Sequence, residues 1–514
     1  MDDVLIVGAG PTGLVLALWL TAQGTRVRII DKSACPGETS RAMAVQARTL
    51  ELYRQIGIAE PVIAAGHQNP AVNMWALGKR KAHLALGDAG ATLSPYPFVL
   101  IYPQDQHERL LEQRLLELGV KVERRTELLS FEDQGDHIDA RLRLPGGGEQ
   151  LLQARYLAGC DGARSLVRHQ LGAGFEGGTY KQVFYVADVD IKAMEPRGEI
   201  HIALENGDFV LLLAYGEGDQ YRLIGTVRDE RAEHPEHLSF DDVGHKALHS
   251  LGVTVDKVNW FSTYRVHHRV ADAFRDKRAF LLGDAAHVHS PAGGQGMNTG
   301  ILDAINLAWK LAAVLKGQAA DSLLDSYQAE RQAFARRLVD TTDRLFSFVT
   351  TEGNFADFVK TRIAPALMGF AYQVDTVREL MFRTISQTML HYRASPLSEG
   401  AAGDVKGGDR LPWTGAIAGA PDNYAALPAI GWQVQVYGTA TTALKAACER
   451  HAIALREFAW SDDYRHAGLA RDAAYLLRPD SYVALADPQG WSETLERYLV
   501  SRALTLTRDL GVAA

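Results

Sequence analysis

The first thirty residues alternate between apolar runs and glycines in a way that predicts a β-α-β unit. The run VLIV at 4–7 is short and continuously apolar, which is typical of a buried parallel strand. The segment GLVLALWLTA at 13–22 predicts a buried helix, and RVRII at 26–30 predicts a second strand. The turn between the first strand and the helix is rich in glycine, so its backbone is nearly bare.

The pattern changes between residues 174 and 270, where apolar stretches are shorter and turns are more frequent. The sequence FVLLLAYGEGDQYRLIGTV at 209–227 predicts a hairpin, because two apolar strands flank a glycine-rich turn. We expect a mostly antiparallel sheet inserted between two segments of the first domain. Residues 76–100 are expected to contribute to this sheet.

Helical periodicity returns after Gly300. Six apolar residues then recur on one face at helical spacing: Ile301, Ile305, Ala308, Leu311, Ala312 and Leu315. The helical pattern continues over 320–395, and a stretch with glycine and proline at 401–412 predicts a domain boundary. The last hundred residues alternate strand-like and helix-like segments, which predicts a separate small α/β domain.

Length and charge limit the classes of protein to consider. The 514 residues suffice for two or three domains. The net charge of -8 argues against nucleic-acid binding, since no basic excess neutralises phosphates. The acidic start is unlike a signal peptide and no early apolar segment is long enough to span a bilayer, so we expect a cytoplasmic protein. Cys35, Cys160 and Cys448 lie too far apart in sequence to suggest a disulfide framework or a zinc site.

A G-x-G-x-x-G motif, formed by Gly8, Gly10 and Gly13, lies between the first predicted strand and the helix. Glycines there let a pyrophosphate approach the backbone at the positive helix N-terminus. Asp31 ends the second strand 18 residues after Gly13 and can accept hydrogen bonds from ribose hydroxyls. Together these features predict a dinucleotide-binding domain rather than merely a tight turn.

A second nearly bare stretch, LLGDAAHVHSPAGGQGMNTG, occupies 281–300. It begins as an apolar strand, continues through Asp284 and several glycines, and ends where a helix begins. Such a backbone lets an anionic or flat group come close to a helix N-terminus. His287 and His289 make a poor zinc site, because no acid or cysteine cluster accompanies them.

Three motifs occur in order: G-x-G-x-x-G at 8–13, DGARSLVR at 161–168 and GDAAHVHSPAGGQGMN at 283–298. Together they resemble the class A flavoprotein aromatic monooxygenases, the para-hydroxybenzoate hydroxylase and phenol hydroxylase superfamily, and its polyketide hydroxylase and rifampicin monooxygenase branch in particular. The resemblance implies an α/β fold with a Rossmann-like (GR2-type) FAD-binding domain, an inserted antiparallel β-sheet substrate domain and a C-terminal thioredoxin-like domain.

The implied domains follow the pattern above. The FAD-binding domain comprises 1–173 and 271–400, the latter with a helical segment; the substrate sheet comprises 174–270; and the thioredoxin-like domain comprises 401–514. The last of these lacks a C-x-x-C pair, so Cys448 is expected to be structural rather than redox-active.

The resemblance assigns non-covalent FAD to residues that match the family by type. They are Gly8, Gly10, Thr12, Gly13, Asp31, Lys32, Arg41, Gln104, Leu128, Asp161, Asp284, Gly294, Gly296, Met297 and Asn298. Asp31 is expected at the adenosine ribose, Thr12 and Arg41 at the pyrophosphate, and Gln104 and Asp284 at the ribitol chain. Leu128 is expected to meet the adenine through its backbone.

Two arginines extend this assignment. The Asp-Gly motif, with Asp161 and Arg164, is associated in the family with both FAD and the nicotinamide nucleotide. Arg48 is equally compatible with a functional role and with a surface ion pair.

The implied reaction is hydroxylation of a phenolic or polycyclic aromatic substrate. NADPH or NADH reduces the flavin, dioxygen forms a flavin hydroperoxide, and the aromatic ring attacks it. Pro291 is expected to shape the pocket beside the reacting ring. Candidate substrate contacts on the inserted sheet are Tyr185, Phe209, Tyr215, Arg222 and His267.

Other readings of the same sequence stay open at this point. A Baeyer–Villiger-type or non-oxygenating flavin oxidoreductase uses the same fold. A flavin-dependent halogenase is disfavoured because its W-x-W-x-I-P motif is missing, and a non-catalytic flavin-binding module because all three motifs look intact. We expect a small aromatic substrate as partner, no nucleic acid, no membrane span and no metal, and either a monomer or a homodimer.

Overall fold

The computed structural model describes residues 1–37, 42–192, 198–205, 208–215, 219–227, 238–243, 248, 251–289, 294–350, 375–415, 417 and 421–506. The strands of this part of the chain are β1 (Asp2–Val7), β2 (Val27–Asp31), β3 (Ala44–Val45), β4 (His67–Asn69), β5 (Ala71–Ala76), β6 (Lys79–Ala85), β7 (Val99–Ile101), β8 (Glu123–Arg124), β9 (Glu127–Asp133), β10 (Ile138–Arg143), β11 (Glu149–Gly159), β12 (Phe175–Lys192), β13 (Ile200–Glu205), β14 (Asp208–Ala214), β15 (Gln220–Val227), β16 (Thr254–Ala271), β17 (Arg275–Asp276), β18 (Ala279–Leu281), β19 (His287–Val288), β20 (Glu399–Ala402), β21 (Val405–Lys406), β22 (Gln433–Tyr437), β23 (Ala454–Phe458), β24 (Ala474–Leu477) and β25 (Val483–Asp487). The helices are α1 (Pro11–Ala22), α2 (Ala47–Gln55), α3 (Ala59–Ala65), α4 (Leu86–Gly90), α5 (Gln104–Glu117), α6 (Leu166–Gln170), α7 (Gly296–Leu315), α8 (Asp325–Thr350), α9 (Asp375–Ile385), α10 (Thr442–Arg450), α11 (Asp462–His466) and α12 (Ser492–Ser501).

The first sheet is built around the predicted β-α-β unit. Its strands run in the order β17-β18-β11-β1-β2-β8, and β9 and β10 extend it from β11. Strand β1 is parallel to both β2 and β11, so their carboxyl ends meet at one edge. Helix α1 is buried along most of its length because its leucines and Trp19 pack into the core of this sheet. The predicted mixed α/β fold is confirmed.

The second sheet has the order β19-β16-β12-β15-β14-β13-β5-β6. Its pairs are antiparallel except for β13 with β5. The early part of the chain joins it through β5 and β6, whereas the sequence pattern placed this contribution at 76–100. Strand β7 instead joins a small sheet with β3 and β4.

The two faces of this second sheet have different neighbours. We call inner the face that shares one continuous core with β1, α1 and α7, through Val72, Ile200 and Leu213. The outer face carries alternate residues such as Val210 and Leu212. It is covered by side chains of a following segment, Phe240, Leu248, Leu251 and Val253. Because side chains alternate across a strand, each strand contributes to both faces.

The last part of the chain forms a third sheet, in the order β21-β20-β25-β24-β22-β23. Strand β22 is parallel to β23 and antiparallel to β24, which is antiparallel to β25. Helices α10 and α12 pack on it with Leu444, Leu495 and Leu499 in the core.

Buried ion pairs attach this third sheet to the rest of the chain. Arg478 donates to Glu330 on α8 at 2.6 Å, and Lys310 on α7 donates to the same carboxylate at 2.8 Å. Arg410 likewise donates to Glu51 on α2 at 2.8 Å. Losing one partner leaves a buried charge uncompensated, so these pairs hold the two parts in one arrangement.

Among the helices of the described residues, none combines the length and the apolar composition that crossing a bilayer requires.

Candidate functional site

The glycine turn after β1 is closely packed. Gly8 has φ +105°, and a Cβ there would clash with the carbonyl oxygen of Cys160. A Cβ at Gly13 would clash with the carbonyl oxygen of Gly8, whereas a Cβ at Gly10 would point into open space. No side chain caps the N-terminus of α1. The turn thus presents the positive end of a helix beside a gap over Gly10, which suits a pyrophosphate.

Asp31 is fixed beside this turn. Its Oδ2 accepts a hydrogen bond from the backbone N–H of Ala9 at 2.7 Å, and its Oδ1 accepts one from Ser33 at 2.7 Å. Arg124 lies 4.0 Å from the same carboxylate. Lys32 follows with an exposed side chain. The acid is therefore at the end of β2 where the sequence placed the ribose contact.

Gln104 begins α5 on the same side of the sheet. Its Nε2 donates to Glu108 at 2.8 Å, and the other oxygen of Glu108 accepts from the backbone N–H of Gly37 at 3.0 Å. Burial raises the pKa of Glu108, and the nearby charge of Asp31 raises it further. Leu128 lies on β9 with its side chain in the core, so only its backbone is available to a ligand.

In the second motif, the side chain of Asp161 accepts hydrogen bonds from the beginning of the helix that follows it. One oxygen of Asp161 accepts from the Ser165 hydroxyl at 2.6 Å, and the other from the backbone N–H of Leu166 at 2.7 Å. The carboxylate thus stabilises the start of α6. Arg164 is exposed, while Arg168 is buried and donates to the carbonyl oxygen of Ala285 at 2.9 Å. Arg168 therefore joins the second motif to the third.

Thr12 joins the third motif to the first. Its hydroxyl would clash with a Cβ on Gly300, and it lies 2.7 Å from where a Cβ on Gly283 would stand. Glycine at both positions lets Thr12 on α1 approach α7 and the turn at Gly283 this closely. Asp284 follows Gly283 in a 3₁₀ turn and is exposed. The side chain of Thr12 is thus packed between motifs, and its backbone N–H is the group that suits the predicted pyrophosphate contact.

Asn298 connects the start of α7 to β3. Its Nδ2 donates to the carbonyl oxygen of Ala44 at 2.8 Å and to that of Gly294 at 3.0 Å. Its Oδ1 accepts from Gln46 N–H at 2.9 Å and from the Thr49 hydroxyl at 2.8 Å. With these four bonds the amide is fully used within the protein. Any cofactor contact of Asn298 therefore involves its backbone.

The rest of this loop is small or apolar. Gly294 has φ +63°, and a Cβ there would lie 2.8 Å from the Cβ of Ala44. Gly296 opens α7, whose N-terminus has no side-chain cap, and Met297 packs against the main core. A flat ring has access to such a backbone, and the helix dipole favours negative charge there.

A buried charge cluster supports the turn of the third motif. Asp303 on α7 accepts from the backbone N–H of Gly283 at 3.0 Å and from Arg331 at 2.6 Å, and His287 Nε2 lies 2.7 Å from it. Burial alone would raise the pKa of Asp303, but the charges of Arg331 and His287 and their hydrogen bonds lower it below its ordinary value. His287 is thus occupied by a carboxylate and stacked on Phe274.

Two predicted residues, Arg41 and Pro291, lie outside the described residues.

Arg48 is not on the surface. It is fully buried, pairs with Glu51 at 3.1 Å and donates to the carbonyl oxygen of Asp480 at 2.8 Å. It therefore belongs to the contact with the third sheet.

The five predicted substrate residues do not share one face. Tyr185 is 1% exposed, stacks with Phe261 and belongs to the outer-face core. Its side chain packs over Gly225 and faces away from α7. His267 is exposed on β16, where its Nδ1 lies 2.7 Å from the Thr179 hydroxyl.

The other three belong to the inner face. Arg222 pairs across β15 and β14 with Leu213, an inner-face residue, and its guanidinium forms two 2.7 Å hydrogen bonds with Asp188. Tyr215 packs on the main core, and burial raises the pKa of its phenol to about 12, with Asp188 adding to the effect. Phe209, half-buried, precedes Val210 and so points to the opposite, inner side.

Sequence reasoning missed an aromatic pair on this inner face. The rings of Phe184 and Tyr264 stack with centroids 5.8 Å apart, and Ile224 packs against Phe184. Phe184 is the direct neighbour of Tyr185 on β12, so the two point to opposite faces. The alternation was visible in the sequence, but nothing local indicated which set of side chains faced the first sheet and α7.

The residues present therefore fit FAD. The gap over Gly10 and the uncapped helix suit the pyrophosphate, Asp31 suits a ribose, and the bare backbone at 294–297 suits a flat ring. The three motifs, distant in sequence, meet around Thr12, Arg168 and Asp303.

Comparisons with known proteins agree with this geometry. The sequence profile of the family described as FAD binding domain matches residues 1–342, which include all three motifs. The chain is 38% identical over 418 residues to 6-methylpretetramide 4-monooxygenase of Streptomyces rimosus, covering 79% of this chain and 72% of that protein. It is 35% identical over 376 residues to pentachlorophenol 4-monooxygenase of Sphingobium chlorophenolicum, covering 70% and 68%. Its fold matches that of aklavinone-11 hydroxylase, solved with FAD and aklavinone, with a TM-score of 0.76, 26% identity and coverage of 98% and 99%.

Proposed function

The chain belongs to the class A flavoprotein aromatic monooxygenases, which share this FAD-binding domain, and on that premise we propose that it hydroxylates a phenolic or polycyclic aromatic compound. FAD is the cofactor, and a reduced nicotinamide dinucleotide and dioxygen are the co-substrates. Two of the relatives named above are named for 6-methylpretetramide and pentachlorophenol, and the third was solved with aklavinone. These names support an aromatic substrate without selecting one.

The observation that carries the proposal is the meeting of three motifs from distant parts of the chain. Thr12 packs against Gly283 and Gly300, and Arg168 bonds to Ala285. Each contact joins a different pair of motifs. A tight glycine turn alone does not account for the packing of two further motifs, distant in sequence, beside it.

Bound FAD supplies the redox chemistry and the activation of dioxygen. The chain supplies binding, orientation and exclusion of water. The N-terminus of α7 at Gly296 aims backbone N–H groups and a positive dipole end at one place, which stabilises negative charge developing there. Asp284, exposed beside this loop, is proposed as the ribitol contact.

We place the aromatic substrate over the inner face of the second sheet. Phe184 and Tyr264 offer stacked rings and Ile224 an apolar side, which suits planar fused rings. Arg222 and Tyr215 lie on the same face, next to Asp188, and suit a polar substituent. Pro291 and Arg41 remain predictions from the family resemblance.

We also propose that the third sheet and its helices form a thioredoxin-like domain. The order β22-α10-β23-α11-β24-β25-α12, with β24 between β22 and β25, is typical of that fold. Burial raises the pKa of Cys448 to about 11, so its thiol stays protonated, and the domain is structural.

The experiment is a screen of phenols and polycyclic quinones with the FAD-loaded protein. A true substrate should accelerate NADPH or NADH oxidation and yield a product heavier by one oxygen atom. O-methyl analogues should react more slowly, because they cannot form the phenolate that pushes electrons into the ring. Acceleration of oxidation without any oxygenated product, across the whole panel, would contradict the proposal.

A further inference from the structure

We propose that Arg331 is a positioning residue for the flavin site, because it fixes the turn at Gly283 relative to the first turn of α7. Arg331 lies on α8, outside all three motifs, and is completely buried. The turn at Gly283 carries Asp284, and α7 begins at Gly296. The inference rests on the proposed function, since the ribitol chain and the flat ring of FAD are placed at these two elements.

The guanidinium of Arg331 acts on both elements. Its Nε donates to one oxygen of Asp303 at 2.6 Å, and the other oxygen of Asp303 accepts from the backbone N–H of Gly283 at 3.0 Å. A terminal nitrogen of Arg331 donates to the carbonyl oxygen of Thr299, in the first turn of α7, at 3.1 Å. One planar group therefore orients the carboxylate that holds the Gly283 turn and also holds the start of α7.

The position of this guanidinium is fixed in turn by Tyr392. The other terminal nitrogen of Arg331 donates to the Tyr392 hydroxyl at 2.8 Å. The ring of Tyr392 packs on that of Tyr482, which precedes β25, with centroids 4.5 Å apart. The backbone N–H of Tyr392 donates to the carbonyl oxygen of Gly408 at 2.7 Å. Arg331 and Tyr392 thus connect the flavin site to the third sheet.

Charge and geometry can be separated at Arg331 by a lysine. The guanidinium presents its N–H groups in a rigid planar fork, whereas an ammonium presents its hydrogens from a single nitrogen. Arg331→Lys therefore keeps a positive charge beside the buried carboxylate of Asp303, but it does not span Asp303, Thr299 and Tyr392 at the same time. If Arg331 only compensates the charge of Asp303, lysine replaces it; if it positions the two elements, lysine does not.

The measurement is the Kd of FAD for the apoprotein, followed by flavin fluorescence, together with the visible absorption spectrum of the bound flavin and urea unfolding of the apoprotein. A looser site is competent to bind in only a fraction of the molecules, and the apparent Kd rises by the inverse of that fraction. For Arg331→Lys we expect a rise of about tenfold, equivalent to a competent fraction of about one tenth, and a shifted flavin spectrum. Tyr392→Phe, which removes one of the three partners of Arg331, should raise the Kd by less.

Ser395→Ala is the matched control. The buried hydroxyl of Ser395 donates at 2.6 Å to Glu330, the neighbour of Arg331 on α8. The variant therefore removes a buried hydrogen bond to a charged group, as Tyr392→Phe does, but leaves the partners of Arg331 in place. It should lower the free energy of unfolding of the apoprotein while the Kd of FAD and the flavin spectrum stay the same.

Each outcome decides between positioning and a merely structural role. A natural Kd and flavin spectrum in Arg331→Lys would overturn the inference and leave Arg331 as a counter-charge for Asp303. Equal losses of FAD affinity in Tyr392→Phe and Ser395→Ala would also overturn it. If Arg331→Lys does not fold, the comparison of Tyr392→Phe with Ser395→Ala decides alone. A natural protein that does not bind FAD would instead refute the proposed function.

Discussion

The side-chain oxygen of Asn298 accepts a hydrogen bond from the backbone N–H of Gln46 at 2.9 Å, which ties the first turn of α7 to the segment between β3 and α2. The two residues are 252 positions apart, and both are buried. The contact fixes the glycine loop at 294–297 against the first part of the flavin-binding domain. The protein's own hydrogen bonds therefore hold this loop in place.

Replacing Asn298 should test whether its hydrogen bonds hold the loop in place. Asn298→Ala removes four hydrogen bonds and leaves buried backbone groups of Ala44 and Gln46 without them, so we expect a loss of about 2–3 kcal/mol in the free energy of unfolding. FAD affinity should fall with it. Asn298→Asp keeps the acceptor for Gln46 and should be less destabilised. Denaturant unfolding of the apoprotein measures the free energy of unfolding. An unchanged value in Asn298→Ala would contradict the proposed role of these hydrogen bonds.

The packing between α1 and α7 predicts a coupled pair. Gly300→Ala places a methyl group against the Thr12 hydroxyl, and overpacking of this kind costs about 1–3 kcal/mol. Thr12→Ala removes the hydroxyl, so the double variant should be more stable than the sum of the single effects predicts. Strict additivity in thermal unfolding would show that the two residues do not meet.

Gly10 is the matched control for that pair. It has φ -77° and open space where a Cβ would point, so Gly10→Ala should leave the free energy of unfolding of the apoprotein nearly unchanged. The added methyl should nevertheless weaken FAD binding, because it occupies the gap proposed for the pyrophosphate. Equal FAD affinity in Gly10→Ala and the natural protein would move the pyrophosphate away from this turn.

The local parts of the site could be predicted from the sequence because they depend on nearby residues. Gly8, Gly13 and Asp31 belong to one β-α-β unit, so their spacing alone places them together. The roles of Asn298 and Arg48 could not be predicted in this way. Asn298 bonds to residues about 250 positions earlier, and Arg48 to a carbonyl oxygen 432 positions later. Nothing local distinguishes such residues from ligand contacts or surface charges.

The face on which Tyr185 lies could not be predicted for a similar reason. Alternation along β12 separates Phe184 from Tyr185, but the sequence does not say which set faces the flavin-binding domain. That depends on the segment around Phe240 and Leu251, which covers the outer face. Packing between segments distant in sequence determines which side chains of β12 lie on each face of the second sheet.

Because Phe184 and Tyr185 lie on opposite faces of the second sheet, we expect different results when each is replaced. Phe184→Leu should raise the KM for the aromatic substrate and lower the product formed per nicotinamide oxidised, because the ring stack with Tyr264 is lost while FAD binding stays the same. Tyr185→Phe, on the outer face, should leave both quantities near those of the natural enzyme. Steady-state kinetics with product quantification measures them; a Tyr185→Phe variant with the larger KM change would reverse the assignment of faces.

The three cysteines should differ sharply in reactivity. Cys35 is exposed, whereas burial raises the pKa of Cys448 to about 11 and that of Cys160 well above its ordinary value. The thiolate is the reactive form, so at pH 8 only Cys35 should be alkylated rapidly in the folded protein. Peptide mass mapping after a short iodoacetamide treatment checks this. Cys448→Ser should also leave turnover unchanged, and rapid native labelling of Cys448 would reopen a redox role for its domain.

The central claim is that this chain inserts one atom of dioxygen into an aromatic ring. The direct measurement is the product mass after turnover under oxygen-18 gas in ordinary water, with NADPH or NADH and a substrate found in the screen. The account predicts a product that carries one oxygen-18 atom, and no product when dioxygen is removed. Product oxygen that comes from water, or turnover that proceeds without dioxygen, would contradict it.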